Sequence, residues 1–208
     1  MQEQYRTVGR EGVSETEIKK SRFLATLAPA ATEEEALAVI RRVRGQHAGA
    51  NHNCFAYVIG PGGVIQKSSD DGEPGGTAGV PMLQMLMRRE VRDTVAVVTR
   101  YFGGVRLGAG GLIRAYGGAV GHALDEIGTV ALHPLRLATV TVGHQQAGRL
   151  GNDLRAAGHC VRAVHYGECV TIEVGVPDHR TDAFRSWLAD ATAGASGLEL
   201  GELTYMEN

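Results

Sequence analysis

The spacing of apolar residues predicts a strand and then a helix near the start of the chain. Phe23, Ala25 and Leu27 stand at every second position, which is typical of a half-buried strand. Residues 32–35 read Thr-Glu-Glu-Glu, a capping box in which a hydroxyl and a carboxylate satisfy the first backbone N–H groups of a helix. Apolar residues follow at helical spacing, so the sequence predicts a helix that ends near Gly45.

The middle of the chain has the pattern of a hairpin, a short helix, a buried strand and a long helix. Two apolar segments, 54–59 and 64–67, flank a Pro-Gly-Gly turn and predict the hairpin. A short helix is expected from Pro81 to about residue 89. Residues 94–100 are almost continuously apolar, as in a buried strand, and helical spacing resumes over 112–127.

A second rhythm follows residue 132. Two helical segments alternate with four strand-like segments, which gives the order βαββαβ of a ferredoxin-like domain. The segments are strand 137–142, helix 147–157, strands 160–166 and 170–176, helix 182–191 and strand 198–205. The sequence therefore predicts an α+β chain with one domain over residues 1–132 and another over residues 133–208.

Composition narrows the class of protein. The net charge is −2, so nucleic-acid affinity would have to come from a local basic patch. The three cysteines are widely spaced and form no CxxC pair, which argues against a disulfide framework or a zinc site. Neither a long apolar run nor a signal-like N-terminus is present. We expect a cytoplasmic protein that does not enter a membrane.

The residues that suggest chemistry lie between positions 67 and 116. Residues 94–124 contain no Asp or Glu, while arginines there stand beside glycines or at the end of an apolar run. Guanidinium groups and the backbone N–H groups of a helix start are suited to an anion such as a phosphate. The predicted nucleic-acid or anion-binding residues are Lys67, Arg100, Tyr101, Arg106, Gly110, Gly111 and Arg114. Tyr101, Phe102 and Tyr116 either stack on bases or pack under the loop.

An acidic group precedes this basic segment. Asp70, Asp71 and Glu73 could bind a divalent cation or act as acid and base, but Asp-Gly and Pro-Gly-Gly sequences also form ordinary turns. The chain has no nucleophile motif, and its glycine-rich helix start does not match the known nucleotide-binding loops. We therefore predict no metal, no cofactor and no catalytic residue, and regard the three carboxylates as a possible acidic site.

Two long motifs resemble a known family. They are SDDGEPGGTAGVP at 69–81 and VVTRYFGGVRLGAGGLIRAY at 97–116, flanked by EIKKSRFLA at 17–25 and HNCFAYVIG at 52–60. Together they resemble the IMPACT/YigZ family in its bacterial two-domain form. In one departure, Gly75 stands where that family usually has serine, so a hydroxyl contact there is absent.

The resemblance implies a fold and a function. It implies an N-terminal domain similar to domain 2 of ribosomal protein S5, followed by a ferredoxin-like domain. Eukaryotic relatives regulate translation by binding the activator of a starvation kinase, but they do so with an extra N-terminal domain, so that partner is not carried over. Bacterial members are similar in fold to nucleic-acid- and ribosome-binding proteins. This likeness and the acid-free segment 94–124 lead us to expect a non-enzymatic, translation-associated protein whose partner is RNA or the ribosome, or a translation factor. The alternatives are a phosphate-handling or hydrolase-like enzyme that uses Asp70, Asp71 and Glu73, and an adaptor for a protein partner.

Overall fold

A five-stranded antiparallel sheet forms the centre of the first half of the chain. The computed structural model describes residues 4–207, which form two compact units that meet in sequence at Val130 and Ala131. The first unit contains the short strand β1 (Tyr5–Thr7), which is not part of this sheet. The five strands of the sheet are β2 (Gly12–Ile18), β3 (Ser21–Pro29), β4 (His52–Ile59), β5 (Ile65–Ser69) and β6 (Thr94–Tyr101). The sheet has the order β2-β3-β6-β4-β5, and each neighbouring pair is antiparallel.

Helices cover both faces of this sheet. They are α1 (Glu33–Gln46), α2 (Gly79–Arg88) and α3 (Ala109–Ile127). One core contains Phe23, Ala56 and Val98 with residues of α2 and α3, and the other contains Phe55 and Val97 with residues of α1. Because helices cover both faces, the residues on the two faces of β4 and β6 are both mainly apolar. This agrees with the almost continuous apolar sequence that predicted a buried strand over residues 94–100.

The predicted half-buried character of β3 is wrong. Phe23, Ala25 and Leu27 are buried as expected, but Thr26 and Ala28 on the other face are buried as well. The reason is that α1 packs over that second face, where Ala28 joins the core formed with α1. The burial is not uniform along β3, because Arg22 is exposed and Leu24 is only partly buried on this second face. The prediction therefore fails at Thr26 and Ala28, where small or hydroxyl-bearing side chains fit beneath α1.

The start of α1 confirms one half of the predicted capping box. Thr32 Oγ1 accepts a hydrogen bond from Glu35 N at 3.2 Å, which satisfies a backbone donor of the first turn. The reciprocal bond differs, because Glu35 Oε2 accepts from Ala31 N at 2.7 Å, one residue before the cap. Three acidic residues in this turn also favour the positive end of the helix dipole.

The second unit has the element order βαββαβ that the hydrophobic pattern predicted. Its elements are β7 (Val130–Val142), α4 (His144–Ala156), β8 (Cys160–Tyr166), β9 (Val170–Val176), α5 (Thr181–Thr192) and β10 (Gly197–Glu207). The strand order is β10-β7-β9-β8, and these neighbours are antiparallel. Val140, Ile172, Leu154 and Phe184 belong to its own apolar core. The prediction of a mixed α/β chain with two domains is confirmed.

No helix within residues 4–207 is both long enough and apolar enough to span a membrane.

Two glycines of the first unit should respond in opposite ways to replacement by alanine. A Cβ on Gly79 would lie 2.7 Å from Ser69 N, whereas a Cβ on Gly118 would meet nothing within 4 Å. Gly79→Ala should therefore lower the free energy of unfolding by about 1–3 kcal/mol through a backbone clash. Gly118→Ala should raise it by up to about 1 kcal/mol, because alanine favours a helix interior.

Circular dichroism during urea denaturation measures both changes in the free energy of unfolding. Tryptophan fluorescence would not report on the first unit, because the single tryptophan, Trp187, lies in the second unit. Equal stability of the Gly79→Ala variant and the wild type would contradict the close approach of α2 to β5.

Candidate functional site

A buried ion pair links β6 to the glycine-rich turn before α2. Arg100 Nη1 donates to Glu73 Oε1 at 2.6 Å, and the two residues are only 6% and 8% exposed. Tyr116 of α3 donates its hydroxyl hydrogen to the same Oε1 atom at 2.7 Å. A carboxylate and a guanidinium at such depth stabilise the fold only as a pair, because either charge alone would be costly to bury.

The Arg100 guanidinium is enclosed by aromatic rings. Its Cζ atom lies 5.5 Å from the ring centroids of both Phe23 and Phe102, within the range of cation–π contacts. Nη2 donates to Ser21 Oγ at 3.4 Å, while Nε is buried without a hydrogen-bond partner among residues 4–207. The guanidinium is therefore held in place by β3, the 70–79 turn and the loop that begins at Phe102.

The other polar groups beneath this pair are neutral. Burial raises the pKa of Tyr116, so its hydroxyl stays protonated and acts as a donor to Glu73. Burial also raises the pKa of the Cys54 thiol to about 12, and this thiol donates to the carbonyl oxygen of Asp70 at 2.9 Å. A thiol with this pKa is a poor nucleophile at neutral pH, and Cys54 is therefore a structural residue.

Asp70 organises the turn before α2. Its carboxylate accepts hydrogen bonds from Gly76 N at 2.8 Å, Ala78 N at 3.0 Å and Gly79 N at 2.8 Å. Partial burial by itself raises the pKa of Asp70, but the three backbone donors outweigh it and leave the pKa below the usual value. Because Ala78 offers no side-chain cap to α2, the carboxylate of Asp70 takes over that role.

Asp71 points to a different part of the first unit. Its carboxylate accepts from Arg44 Nη2 and from Asn53 N, both at 2.7 Å. Its carbonyl oxygen lies 2.9 Å from His52 Nδ1, and because a carbonyl can only accept, that nitrogen carries the hydrogen. The three carboxylates predicted as one acidic site thus have separate structural partners. Within residues 4–207, no group of three or more metal-ligating side chains converges.

An open cleft of about 470 Å³ lies above the ion pair. Its lower wall is formed by Arg100 and Glu73, and its rim by the 102–108 loop and the first residues of α3. The lining residues are Asn51, His52, Glu73, Pro74, Arg100, Phe102, Arg106, Leu107, Gly108, Ala109 and Leu112. The cleft therefore combines apolar surface with a few polar groups, as small-ligand and nucleotide sites do.

The N-terminus of α3 lies at this cleft and has no side-chain cap. Gly108 adopts a positive φ of 71° before the helix, and no side chain accepts from the first turn. The backbone N–H groups of Ala109, Gly110 and Gly111 precede the first intrahelical bond of the helix, which Leu112 N donates to Gly108 O. Together with the helix dipole, these donors favour an anion at the rim of the cleft.

Two exposed side chains stand beside this helix start. Arg106 forms no ion pair with any residue of the described range 4–207, and it lines the cleft. Phe102 is 47% exposed, and its ring covers the Arg100 guanidinium. An exposed cation, an exposed ring and helix-start N–H groups without a side-chain cap thus meet at one rim.

The predicted nucleic-acid or anion-binding residues do not all lie at one site. Arg100 and Arg106 line the cleft, and Gly110 and Gly111 belong to the first turn of α3 beside it. Because Glu73 already balances the charge of Arg100, the cationic part of the cleft is Arg106. The anion-binding role of these residues stays a prediction.

The remaining predicted residues lie elsewhere in the first unit. Arg114 lines a second groove of about 440 Å³ between α2 and α3. Tyr101 is half-buried, with its hydroxyl 2.9 Å from His47 Nδ1, and Lys67 is exposed on the edge strand β5. Tyr116 is fully buried, so packing rather than base stacking describes its position.

Three residues at the site were not predicted from the sequence. Ser21 bonds both Arg100 and the backbone of Gly103, Asn51 accepts from Phe102 N at 2.8 Å, and His52 Nε2 lies 3.9 Å from Glu73 Oε2. They come from β3, from the loop before β4 and from the first residue of β4. Only the polar sequence around Asn51 and His52 could have pointed to these two residues, and no signal pointed to Ser21.

The buried ion pair makes a specific prediction about stability. Glu73→Gln should lower the free energy of unfolding by about 3–5 kcal/mol, because it leaves the Arg100 charge buried without a counterion. The control is Asp125→Asn, which breaks an exposed ion pair with Arg89 and should lower the free energy of unfolding by only about 0–1 kcal/mol. Urea denaturation followed by circular dichroism compares them. A loss for Glu73→Gln no larger than that of the control would contradict the role assigned to the pair.

The Asp70 cap makes a prediction about pH. Its pKa is lower in the folded than in the unfolded state, so its stabilisation is present above the unfolded pKa and is lost as the pH falls through the folded pKa. Asp70→Asn should lower the free energy of unfolding by about 0.5–2 kcal/mol at neutral pH. Urea denaturation over a pH series should show this difference shrink towards acid pH. A difference that is constant with pH would exclude a contribution from the carboxylate charge.

Comparison with known proteins supports a family assignment. Residues 19–124 match the model of the Impact N-terminal domain, and residues 140–195 match that of a domain of unknown function, DUF1949. The chain is 47% identical over 203 residues to the IMPACT family member YvyE of Bacillus subtilis, covering 98% of this chain and 94% of YvyE. It is 40% identical over 184 residues to YigZ of Escherichia coli, covering 88% of this chain and 90% of YigZ.

A solved structure agrees with these relatives. The crystal structure of a hypothetical protein, 36% identical to this chain, superimposes with a TM-score of 0.65 and covers 97% of this chain and 99% of that one. The resemblance inferred from the two glycine-rich motifs is thus confirmed across both units. Because residues 19–124 match the Impact N-terminal domain and the relatives match along almost the whole chain, this protein belongs to the IMPACT family.

Proposed function

We propose that this protein is a non-enzymatic RNA-binding protein that acts in the cytoplasm on the ribosome or with translation factors. In this proposal an RNA phosphate binds at the N-terminus of α3, between the backbone N–H groups of the first turn and Arg106. The observation that carries the proposal is the uncapped start of a 19-residue helix at the rim of a cleft, beside an arginine that has no ion-pair partner within residues 4–207.

The chemistry of the cleft favours a nucleotide over a free inorganic anion. Phe102 offers an exposed ring on which a base can stack, and Leu107 and Leu112 extend the apolar surface next to it. The Phe102 ring lies over the Arg100 guanidinium at the cleft, while the charge of Arg100 is balanced by Glu73. Phosphate recognition at the rim and stacking in the cleft together describe a single-stranded RNA segment.

The carboxylates support binding rather than catalysis. Asp70 and Asp71 are engaged by backbone donors and by Arg44, and Glu73 is shared between Arg100 and Tyr116. A general base must be able to accept a proton from the substrate, and a metal site needs carboxylates that converge. Within residues 4–207 no metal-ligating side chains converge, and all three carboxylates already accept hydrogen bonds from protein groups, so these observations favour a structural role for them.

We also infer the two fold types that the family resemblance implied. The strands of the second unit, numbered from its own start, have the order 4-1-3-2, which is that of a ferredoxin-like domain. For the first unit we propose the fold of domain 2 of ribosomal protein S5, with an antiparallel sheet that carries α2 and α3 on one face. Likeness of fold is weak support for a function, so the proposal depends on the cleft.

Replacement of Arg106 tests the proposal directly. Arg106→Gln should weaken binding of a fluorescein-labelled single-stranded RNA by about tenfold, because a charge-assisted phosphate contact is lost. The slope of log affinity against log salt should fall in magnitude by about 0.7 for the phosphate no longer neutralised. The control is Arg41→Gln, an exposed arginine on α1, which packs on the opposite face of the sheet.

Fluorescence anisotropy over a salt series measures both quantities. Unchanged affinity and salt dependence in Arg106→Gln would contradict the proposal. Co-sedimentation with ribosomes at low and moderate salt tests the cellular target, where the wild type should pellet and Arg106→Gln should be released at lower salt.

A further inference from the structure

The turn between β2 and β3 has an unusual sequence for its backbone. Lys19 and Lys20 connect the two strands, with Ile18 opposite Ser21 in the strand register, and both adopt positive φ values of 48° and 65°. A two-residue hairpin turn of this shape favours Asn-Gly, because side chains other than those of Asn, Asp and Gly are disfavoured in the left-handed region. Strained residues of this kind are often kept at functional sites.

The backbone of this turn is fixed to the loop at the rim of the cleft. A Cβ on Gly103 would lie only 1.8 Å from Lys20 O, so Gly103 allows the two segments to touch. Ser21 is fully buried, and its Oγ accepts from Gly103 N at 3.2 Å and from Arg100 Nη2 at 3.4 Å. The turn therefore has a defined position relative to Phe102, Arg106 and the cleft floor.

The two lysine side chains carry uncompensated charge. Both are exposed, and neither forms an ion pair within the described residues 4–207. The nearest acidic residues of β2 are directed at Arg22 instead: Glu15 pairs with it at 2.6 Å, and Glu17 lies opposite it in the strand register. The turn thus adds two free ammonium groups beside a segment that contains no acidic residue between positions 94 and 124.

From this arrangement we propose that the Lys19–Lys20 turn is a second phosphate-binding element next to the cleft. This inference rests on the proposed function, and it specifies the ligand class: a single-stranded polynucleotide with several phosphates rather than a mononucleotide. One nucleotide occupies the cleft at Phe102 and Arg106, and the lysines bind the backbone phosphates that follow it. The contact between Lys20 and Gly103 keeps the two elements in register.

Two ligands separate this inference from the proposal for the cleft. One is uridine 5′-monophosphate, which can reach only the cleft, and the other is a labelled oligouridylate of about ten nucleotides, within the site sizes of single-strand-binding domains. Lys19→Gln/Lys20→Gln should weaken binding of the oligonucleotide by about tenfold at low salt and reduce the magnitude of its slope of log affinity against log salt by about 1.4. The same variant should bind the mononucleotide with unchanged affinity. Arg106→Gln should weaken binding of both ligands.

The control Arg10→Gln/Arg41→Gln removes two exposed charges, one in the segment before β2 and one on α1. It should bind both ligands like the wild type.

A second variant separates a binding role from a structural one. Lys19→Asn/Lys20→Gly supplies the residues that the turn geometry favours, so its melting temperature should rise while its affinity for the oligonucleotide falls. A stabilised variant that retains full affinity would overturn the inference. The inference is also wrong if Lys19→Gln/Lys20→Gln binds the oligonucleotide normally while Arg106→Gln does not, in which case the cleft proposal stands. If Arg106→Gln binds both ligands normally, both proposals fail.

Discussion

The buried pair of Arg100 and Glu73 is the interaction on which the functional region depends. It connects the end of β6 to the turn before α2, and through Tyr116 it includes α3. Ser21 extends the same network to β3. A paired charge at this depth tolerates no partial loss, because the remaining partner would be left without a counterion. The geometry of the cleft is thus set by a small number of polar contacts below it.

This arrangement also determines which charge of the cleft is left unpaired within residues 4–207. The charge of Arg100 is balanced by Glu73, whereas Arg106 has no ion-pair partner there and lies beside the N–H groups at the start of α3. The acidic turn plays a supporting part, since Asp70 caps α2 and Asp71 holds Arg44 and the start of β4. Acidic and basic residues that are neighbours in sequence therefore serve different purposes: the acids shape the site and the exposed cations face the solvent.

Much of the fold follows from local sequence patterns, but the site does not. The β4–β5 hairpin, α3 and the βαββαβ order were predicted because turn residues and apolar spacing act over short distances. The pairing of Arg100 with Glu73 joins residues 27 apart, and the Ser21–Gly103 contact joins residues 82 apart. Neither contact leaves a periodic signal. For the same reason the sequence grouped Lys67, Arg100 and Arg114 on one surface, whereas they occupy an edge strand, a cleft floor and a second groove.

The central claim is that an RNA phosphate binds at the start of α3. The most direct test is a titration of the isotope-labelled protein with single-stranded RNA, followed by backbone amide chemical shifts. The account predicts the largest shifts at Ala109, Gly110 and Gly111, with further changes at Phe102 and Gly103, because those N–H groups are at or beside the phosphate. Shifts confined to the second unit, or no shifts at saturating RNA, would contradict it.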